Sequence, residues 1–155
     1  MKRHAIFPGS FDPFTVGHES IVLRALAMFD EITIGIGYNS NKQTMFSLEN
    51  RKRLVHDIFA NYPQIRIAEY SGLTVDFAKQ VNAGFILRGL RTSADFEFER
   101  AIAQVNKKMT GIDTVFLLTT PEHTPINSTI VRDILRHGGD VSLFMPVGIR
   151  LSDYL

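Results

Sequence analysis

One stretch of the sequence decides the fold: Pro8-Gly9-Ser10-Phe11-Asp12-Pro13-Phe14-Thr15-Val16-Gly17-His18. It follows the apolar run Ala5-Ile6-Phe7, which is typical of a strand, and it precedes a segment whose apolar residues recur at helical spacing. Gly9 lets the backbone approach a ligand closely, and Gly17-His18 lies at the start of the helix, where free N–H groups attract phosphate. The stretch therefore predicts a strand, an anion-binding loop and a helix.

The same alternation of strand and helix continues along the chain, and it favours a parallel sheet with helical crossovers. The predicted strands are Arg3–Phe7, Glu31–Gly37, Ile65–Ala68, Phe85–Arg88 and Val115–Thr119. The predicted helices are Gly17–Met28, Leu48–Phe59 with Ser47 as its cap, Thr74–Val81, one capped by Ser93, and Ser128–His137. We expect an α/β fold: one Rossmann-like, doubly wound domain over residues 1–155, with a five-stranded parallel sheet.

The composition narrows the classes of function. The chain has 155 residues, no cysteine and a net charge of +1, so disulfides, thiolate metal sites and cysteine nucleophiles are excluded. The near-neutral charge argues against a broad nucleic-acid-binding face. No apolar run approaches the ~20 residues of a membrane span, and Pro8 stops the first such run too early for a signal peptide. We expect a cytoplasmic protein without nucleic-acid or membrane partners.

Candidate functional residues lie near the carboxyl ends of the predicted strands, where open α/β sheets bind ligands. Ser10 and His18 follow the first strand, Lys42 follows the second, and Arg88 ends the fourth with Arg91 just beyond it. Hydroxyl, imidazole and cationic groups at one edge of a sheet suit the binding of phosphates. We expect these five side chains to converge on one cleft.

Each of these residues also has an interpretation without a catalytic role. His18 could be a partly buried surface histidine, and Lys42 could be a solvated loop lysine. The two arginines could simply pair with Asp95 and Glu99 as a surface network, which would contribute little to stability. The arginines lie at the ligand-binding edge of the sheet, which favours a role in ligand binding over a purely structural one.

Three motifs carry a resemblance to a known family. Gly9-Ser10-Phe11-Asp12-Pro13 followed by Gly17-His18 resembles the first signature of the nucleotidyltransferase superfamily. Ile126-Asn127-Ser128-Thr129-Ile130-Val131-Arg132 resembles its I-S-S-[ST]-x-x-[RK] motif, with Asn127 in place of the first serine. Arg88-Gly89-Leu90-Arg91 followed by Asp95-Phe96-Glu97-Phe98-Glu99 is similar to the corresponding segment of the phosphopantetheine adenylyltransferases. The resemblance covers the whole chain.

The resemblance implies transfer of the adenylyl group of ATP to 4′-phosphopantetheine, which gives dephospho-coenzyme A and pyrophosphate. The attacking phosphate has a second pKa of ~6 and is largely ionised at neutral pH, so no general base is required. Magnesium is implied as the cofactor, held mostly by phosphate oxygens and water rather than by a protein metal site. The family resemblance further implies coenzyme A as a feedback ligand and a homohexamer.

Residue roles also follow from the resemblance. The implied catalytic residues are His18, Ser10, Lys42 and Arg91. The implied 4′-phosphopantetheine site comprises Ser10, Lys42, Thr74 and Arg88. The implied ATP site comprises Ser10, Phe11, His18, Gly89, Leu90, Arg91, Glu99, His123, Thr124, Pro125, Ile126, Asn127, Ser128 and Thr129.

Two alternatives from different classes stay open. A sister nucleotidyltransferase would use nicotinate mononucleotide or glycerol 3-phosphate as the acceptor, although the segment from Arg88 to Glu99 matches the pantetheine branch. A non-catalytic ATP-binding module could also have this fold, because a fold does not fix a function. A tRNA synthetase is disfavoured, since a tRNA-binding region and a full second signature are both missing.

Overall fold

The computed structural model describes all 155 residues, Met1–Leu155. Its strands are β1 (His4–Gly9), β2 (Glu31–Gly37), β3 (Ile65–Tyr70), β4 (Phe85–Leu90) and β5 (Asp113–Leu118). They form one parallel sheet in the order β3-β2-β1-β4-β5. The predicted α/β fold with a doubly wound, five-stranded parallel sheet is confirmed.

Five α-helices connect and follow the strands. They are α1 (Val16–Ala25), α2 (Leu48–Ile58), α3 (Thr74–Gln80), α4 (Ser93–Thr110) and α5 (Ser128–Arg136). Two short 3₁₀ helices follow, at Ser142–Phe144 and Leu151–Tyr154. None of the helices combines the length and the apolar composition needed to span a membrane.

The central strands β1 and β2 are covered by helices on both faces, so nearly all of their residues are buried, whichever side of the sheet they face. In β2, Ile32, Ile34 and Ile36 are fully buried on one face of the sheet. On the opposite face Phe77 of α3 packs against Gly35, so closely that a Cβ at Gly35 would lie 2.4 Å from the ring. A glycine in the middle of this strand is therefore required by packing.

Several element boundaries differ from the prediction by one to three residues, and β4 and α1 show the two reasons, strand pairing and local turn geometry. Strand β4 does not end at Arg88 but continues to Leu90, since Gly89 and Leu90 pair with Leu117 and Leu118 of β5. Helix α1 ends at Ala25, short of the predicted end, and the residues after it form tighter hydrogen-bonded turns. Neither pairing nor turn geometry is visible in a local apolar pattern.

The helix caps are partly as predicted. Ser47 caps α2, as predicted, because its hydroxyl accepts the N–H of Asn50 at 3.1 Å. The predicted cap of α4, Ser93, is wrong. Thr92 is the cap, since its hydroxyl accepts the N–H of Asp95 at 3.2 Å and its backbone is extended. Thr92 and Ser93 are both of the residue types that cap helices, so the sequence alone does not distinguish them. The extended backbone of Thr92 identifies it as the cap.

The segment after α5 packs back onto α2. The hydroxyl of Tyr154 donates to Asp57 at 2.6 Å. The guanidinium of Arg53 lies 4.4 Å from the centre of the Tyr154 ring and donates to the carbonyl of Asp153 at 2.7 Å. These contacts fix the carboxyl-terminal residues against α2.

Candidate active site

The candidate site lies where β1 and β4 separate. These neighbouring strands pair only through Ala5 with Phe85 and Ile6 with Ile86, whereas β1 stays paired with β2 as far as Gly9. Their separation opens a cleft of about 320 Å³ beyond the last paired residues. Strand order in the sheet reverses at this point, and doubly wound sheets bind ligands there.

Most of the residues proposed from the sequence line this cleft. The lining includes Ser10, Phe11, His18, Arg88, Gly89, Arg91, Glu99, His123, Ile126, Asn127 and Ser128. Four proposed ATP residues lie outside the lining: Leu90, Thr124, Pro125 and Thr129. The side chain of Leu90 is buried, so only its backbone is available to a ligand.

Lys42 is the exception among the five phosphate-binding candidates. It lies in the loop after β2 and lines an adjoining pocket of about 250 Å³ together with Ser10. Thr74 lines a third pocket, of about 210 Å³, which shares Gly9 and Arg88 with the main cleft. The three pockets therefore meet around Gly9, with Ser10 on one side and Arg88 on the other.

The orientation of His18 is fixed by the cap of α1. The Thr15 hydroxyl accepts the backbone N–H of His18, and in return the Thr15 backbone N–H donates to Nδ1 of His18 at 3.0 Å. A ring nitrogen that accepts an N–H carries no proton, so this contact assigns the proton of the neutral ring to Nε2. The imidazole therefore offers the cleft an N–H donor.

The charge of His18 is set by its surroundings. Burial lowers the pKa of His18 to about 3, and the positive charges of Arg88 and Arg91 contribute to the same shift. The ring packs against Phe11 and Phe14 at centroid distances of 5.0 and 5.1 Å. His18 is therefore neutral at physiological pH, and its Nε2–H is available as a hydrogen-bond donor.

Arg88 bridges the gap between the two separated strands. Its Nη1 donates to the carbonyl of Pro8 at 2.7 Å. Pro8 lies beyond the last residue of β1 that pairs with β4. Its Nε and Nη2 donate to the two carboxylate oxygens of Glu99 at 3.1 and 2.7 Å. This two-point pairing holds the guanidinium in one orientation at the boundary of two pockets.

Arg91 is oriented by a second acidic residue of α4. Asp95 accepts the backbone N–H of Arg91 at 3.3 Å and lies 3.5 Å from its Nε. The ion pairs that the sequence offered as an alternative to function are thus both present, and both line the cleft. Pairing and ligand binding are compatible here, because each carboxylate orients a cation that faces the same cavity.

Helix α5 adds a second helix start to the cleft. Asn127 caps it, with Oδ1 accepting the N–H of Ile130 at 2.8 Å, so the asparagine does what a capping serine would do. The Ser128 hydroxyl donates to the carbonyl of Pro13 at 2.8 Å and ties α5 to the first motif. The amino termini of α1 and α5, with two arginines between them, make the cleft attractive to phosphates.

Sequence reasoning missed one buried cation beside the site. Arg51 of α2 is only 4% exposed, although a charged residue in a helix normally faces solvent. A signal was present, because Leu48, Arg51 and Val55 share one face of the helix at i, i+3 and i+7. Asp95 and Thr119 also line the cleft without having been proposed.

Comparisons with known proteins show the family to which the sequence belongs. The family model described as cytidylyltransferase-like matches residues 6–134. A relative from Flavobacterium johnsoniae that bears the name phosphopantetheine adenylyltransferase is 54% identical over 150 residues, which cover 97% of this chain and 99% of the relative.

The chain belongs to the phosphopantetheine adenylyltransferase family, within the cytidylyltransferase-like proteins. A second protein of that name, from Bacteroides thetaiotaomicron, is 51% identical over 97% of this chain and 99% of its own length. The fold extends to more distant proteins. The structure of a bifunctional NMN adenylyltransferase/ADP ribose pyrophosphatase from Francisella tularensis aligns with a TM-score of 0.74 over 94% of this chain and 45% of that one. Its identity of 17% shows a shared fold alone.

Proposed function

We propose that this chain transfers the adenylyl group of ATP to 4′-phosphopantetheine and releases dephospho-coenzyme A and pyrophosphate. One observation carries the proposal: the cleft between β1 and β4 holds a neutral histidine donor and two arginines, and it continues past Gly9 and Arg88 into further pockets. Such a cavity suits two phosphate-bearing substrates that meet at one point. The high identity to the phosphopantetheine adenylyltransferases supports this acceptor over others.

The reaction is a displacement at the α-phosphorus of ATP. An oxygen of the acceptor phosphate forms a bond to that phosphorus, and the bond to the oxygen that bridges to the β-phosphate breaks. The acceptor needs no base, because a phosphate monoester with a second pKa of ~6 is already largely ionised at neutral pH. The protein therefore has to align the two substrates and to stabilise negative charge in the transition state.

His18 is proposed as the donor to the α-phosphate oxygens. Its Nε2–H is directed by the contact from Thr15 to Nδ1, and its low pKa keeps the ring neutral. A donor fixed in advance gains strength where charge develops, because no reorientation is needed during the reaction. Arg91 lines the same cleft and is held in place by Asp95, so it would stabilise the phosphates of ATP.

The acceptor phosphate is proposed to bind where the pockets meet. Ser10 lines both the main cleft and the pocket that contains Lys42, while Arg88 lines both the main cleft and the pocket that contains Thr74. These placements support Ser10, Lys42 and Arg88 as ligands of the acceptor phosphate and Thr74 as a contact of the pantetheine arm. Coenzyme A carries the same arm, so we propose that it competes for this site as a feedback ligand.

ATP is proposed to occupy the rest of the main cleft. Its phosphates would lie at the starts of α1 and α5, which supports roles for His18 and Ser128. The adenosine would be held by the backbone of Gly89-Leu90-Arg91, by Glu99 and by the segment from His123 to Thr129, as the resemblance implies. His123 lines the cleft, and its buried Nδ1 makes no hydrogen bond within the protein, so no such bond opposes a change of ring orientation when the base binds.

Magnesium fits this site only together with the triphosphate. No group of three or more His, Cys, Asp or Glu side chains is arranged to hold a metal ion, and the cleft carboxylates of Asp95 and Glu99 are paired with arginines. We propose that Mg²⁺ arrives with ATP, bound by phosphate oxygens and water. When bound, it would neutralise charge on the departing pyrophosphate.

Helix α4 supports the proposal that the chain assembles into a homohexamer. Phe98, Ile102, Val105 and Met109 repeat at helical spacing and are all exposed, from 42% to 69%. An exposed apolar stripe of this kind is typical of an interaction surface, and a second copy of this chain is the partner we propose for it. Light scattering of the purified protein tests the hexamer. We also propose that the enzyme acts in the cytoplasm.

A panel of acceptors tests the proposed function. Purified protein is incubated with ATP, Mg²⁺ and one of 4′-phosphopantetheine, nicotinate mononucleotide, glycerol 3-phosphate or no acceptor, and pyrophosphate release is measured. We expect pyrophosphate release only in the incubation that contains 4′-phosphopantetheine. Release with another acceptor instead would support a sister enzyme, and no release with any acceptor would support a non-catalytic ATP-binding module.

A further inference from the structure

Arg51 joins three backbone carbonyls, from two different loops, through one guanidinium group. Its Nη1 donates to the carbonyl of Ser10 at 2.7 Å and to the carbonyl of Gly37 at 3.1 Å. Its Nε donates to the carbonyl of Phe46 at 3.2 Å. The three acceptors belong to the loop after β1, to the end of β2 and to the segment just before α2.

A buried cation has to be offset by the contacts that it makes. Arg51 is 4% exposed, and burial lowers its pKa, while the charge of Asp12 opposes that change. Its hydrogen bonds are all to backbone carbonyls. An apolar residue would fill this helix position at less cost, so the guanidinium is best explained by the loops that it ties together.

Asp12 holds the Phe46 end of the same loop through backbone N–H groups. Its two carboxylate oxygens accept the backbone N–H groups of Met45 and Phe46 at 2.9 and 2.8 Å. The loop between Gly37 and Phe46 is therefore fastened at both ends, and Lys42 lies within it. The span from Ser10 to Lys42 crosses one pocket, and the two loops that carry these residues are joined through Arg51.

We propose that Arg51 is a positioning residue that sets the distance between Ser10 and Lys42 and thereby the affinity for the acceptor phosphate. This inference rests on the function proposed above. Arg51 lines the pocket of Ser10 and Lys42 but not the main cleft. Its loss therefore displaces the acceptor site and leaves the ATP site at α5 and Arg91 nearly unchanged.

The test compares two conservative variants on the same helix. Arg51→Lys keeps the charge, but a single nitrogen cannot occupy the positions of both Nε and Nη1. We expect KM for 4′-phosphopantetheine to rise about tenfold or more, the effect of losing charge-assisted hydrogen bonds, and KM for ATP to change less than about threefold. The control is Arg53→Lys, because Arg53 also bonds a backbone carbonyl but anchors the carboxyl-terminal segment. Both KM values should stay at the parent level in this control.

Amide hydrogen exchange gives a readout that does not depend on activity. In Arg51→Lys we expect faster exchange across residues 38–46 and unchanged exchange at the start of α5. Asp12→Asn removes one of the two carboxylate acceptors that hold Met45 and Phe46 in the same loop, so it serves as the second variant where Arg51→Lys does not fold. If the parent enzyme has no activity on 4′-phosphopantetheine, the proposed function is refuted. The exchange result would still show whether Arg51 holds the loop of residues 38–46.

Two results would overturn the role of Arg51. One is an equal rise of both KM values in a folded Arg51→Lys protein, which indicates a general structural effect. The other is an unchanged KM for 4′-phosphopantetheine or unchanged exchange in residues 38–46.

Discussion

The backbone N–H of Thr15 donates to Nδ1 of His18 at 3.0 Å. This contact assigns the ring proton to Nε2, and burial together with the two cleft arginines lowers the pKa of His18 to about 3. The imidazole is therefore a neutral, oriented donor. The proposed reaction needs such a donor, because its nucleophile is already ionised and its transition state gains negative charge.

Removing the donor should lower turnover without unfolding the protein. We expect His18→Ala to lose roughly 10²–10³-fold in kcat, as when one oriented transition-state donor is removed, while circular dichroism stays at the parent level. The matched control is His56→Ala on the exposed face of α2, which should retain full turnover. A His18→Ala enzyme within a few-fold of the parent would show that the imidazole has another role.

The low pKa of His18 also predicts how stability depends on pH. The unfolded chain binds a proton at this residue below about pH 6.5, and the folded chain does so only near its pKa of about 3. The stability that comes from a neutral His18 is present above pH 6.5 and is lost as the pH falls towards 3.

Urea unfolding measures this loss. Between about pH 7.5 and about pH 5 we expect the parent to lose up to about 2 kcal/mol more than His18→Gln, which has no group to titrate. The same change in both proteins would mean that His18 does not have a lowered pKa. Proton NMR of the imidazole gives an independent check, since its signal should not titrate between these pH values.

The pocket that each cationic residue lines predicts which substrate that residue binds. Lys42→Ala and Arg88→Ala should weaken 4′-phosphopantetheine binding by about tenfold or more, because each removes a charged phosphate contact, and should affect ATP binding less. Calorimetric titration with each substrate measures both. Lys107→Ala is the control, since Lys107 bonds Asp113 and Gly111 away from the cleft. Equal losses for the two substrates would contradict the division.

Gly35 tests the packing of the sheet. Its Cβ would lie 2.4 Å from the ring of Phe77, which is buried and has little room to move. We expect Gly35→Ala to lower the free energy of unfolding by ~1–3 kcal/mol, measured in urea. Gly84→Ala is the matched control, because nothing lies within 4 Å of its Cβ position. Similar effects of the two substitutions would show that this close approach is not what selects glycine.

The fold was largely predictable because its signals are local. Each buried strand is a short apolar run, and the first motif marks the turn from β1 into α1. Strand order was not predictable, since it depends on pairing between distant segments, and the same is true of the extension of β4 beyond Arg88 to Leu90. The carboxyl-terminal contacts of Tyr154 likewise have no local signal.

The sequence predicted the site residues that belong to recognisable motifs. It did not predict those whose position depends on packing. His18 and Arg91 meet in the cleft because each follows a strand that ends there. The placement of Lys42 in an adjoining pocket depends on the fastening of its loop. Arg51, which does the fastening, is a residue type that normally faces solvent. Its place on the apolar face of α2 indicated burial, but only its contacts reveal which segments it joins.

The most direct test follows the α-phosphorus of ATP itself. Enzyme, Mg²⁺ and 4′-phosphopantetheine are incubated with ATP labelled at the α-phosphorus and, separately, at the γ-phosphorus, and the products are separated. We expect the α label in dephospho-coenzyme A and the γ label in pyrophosphate. Label from the γ position in the pantetheine product, or α label found only in free AMP, would contradict adenylyl transfer in the cleft between β1 and β4.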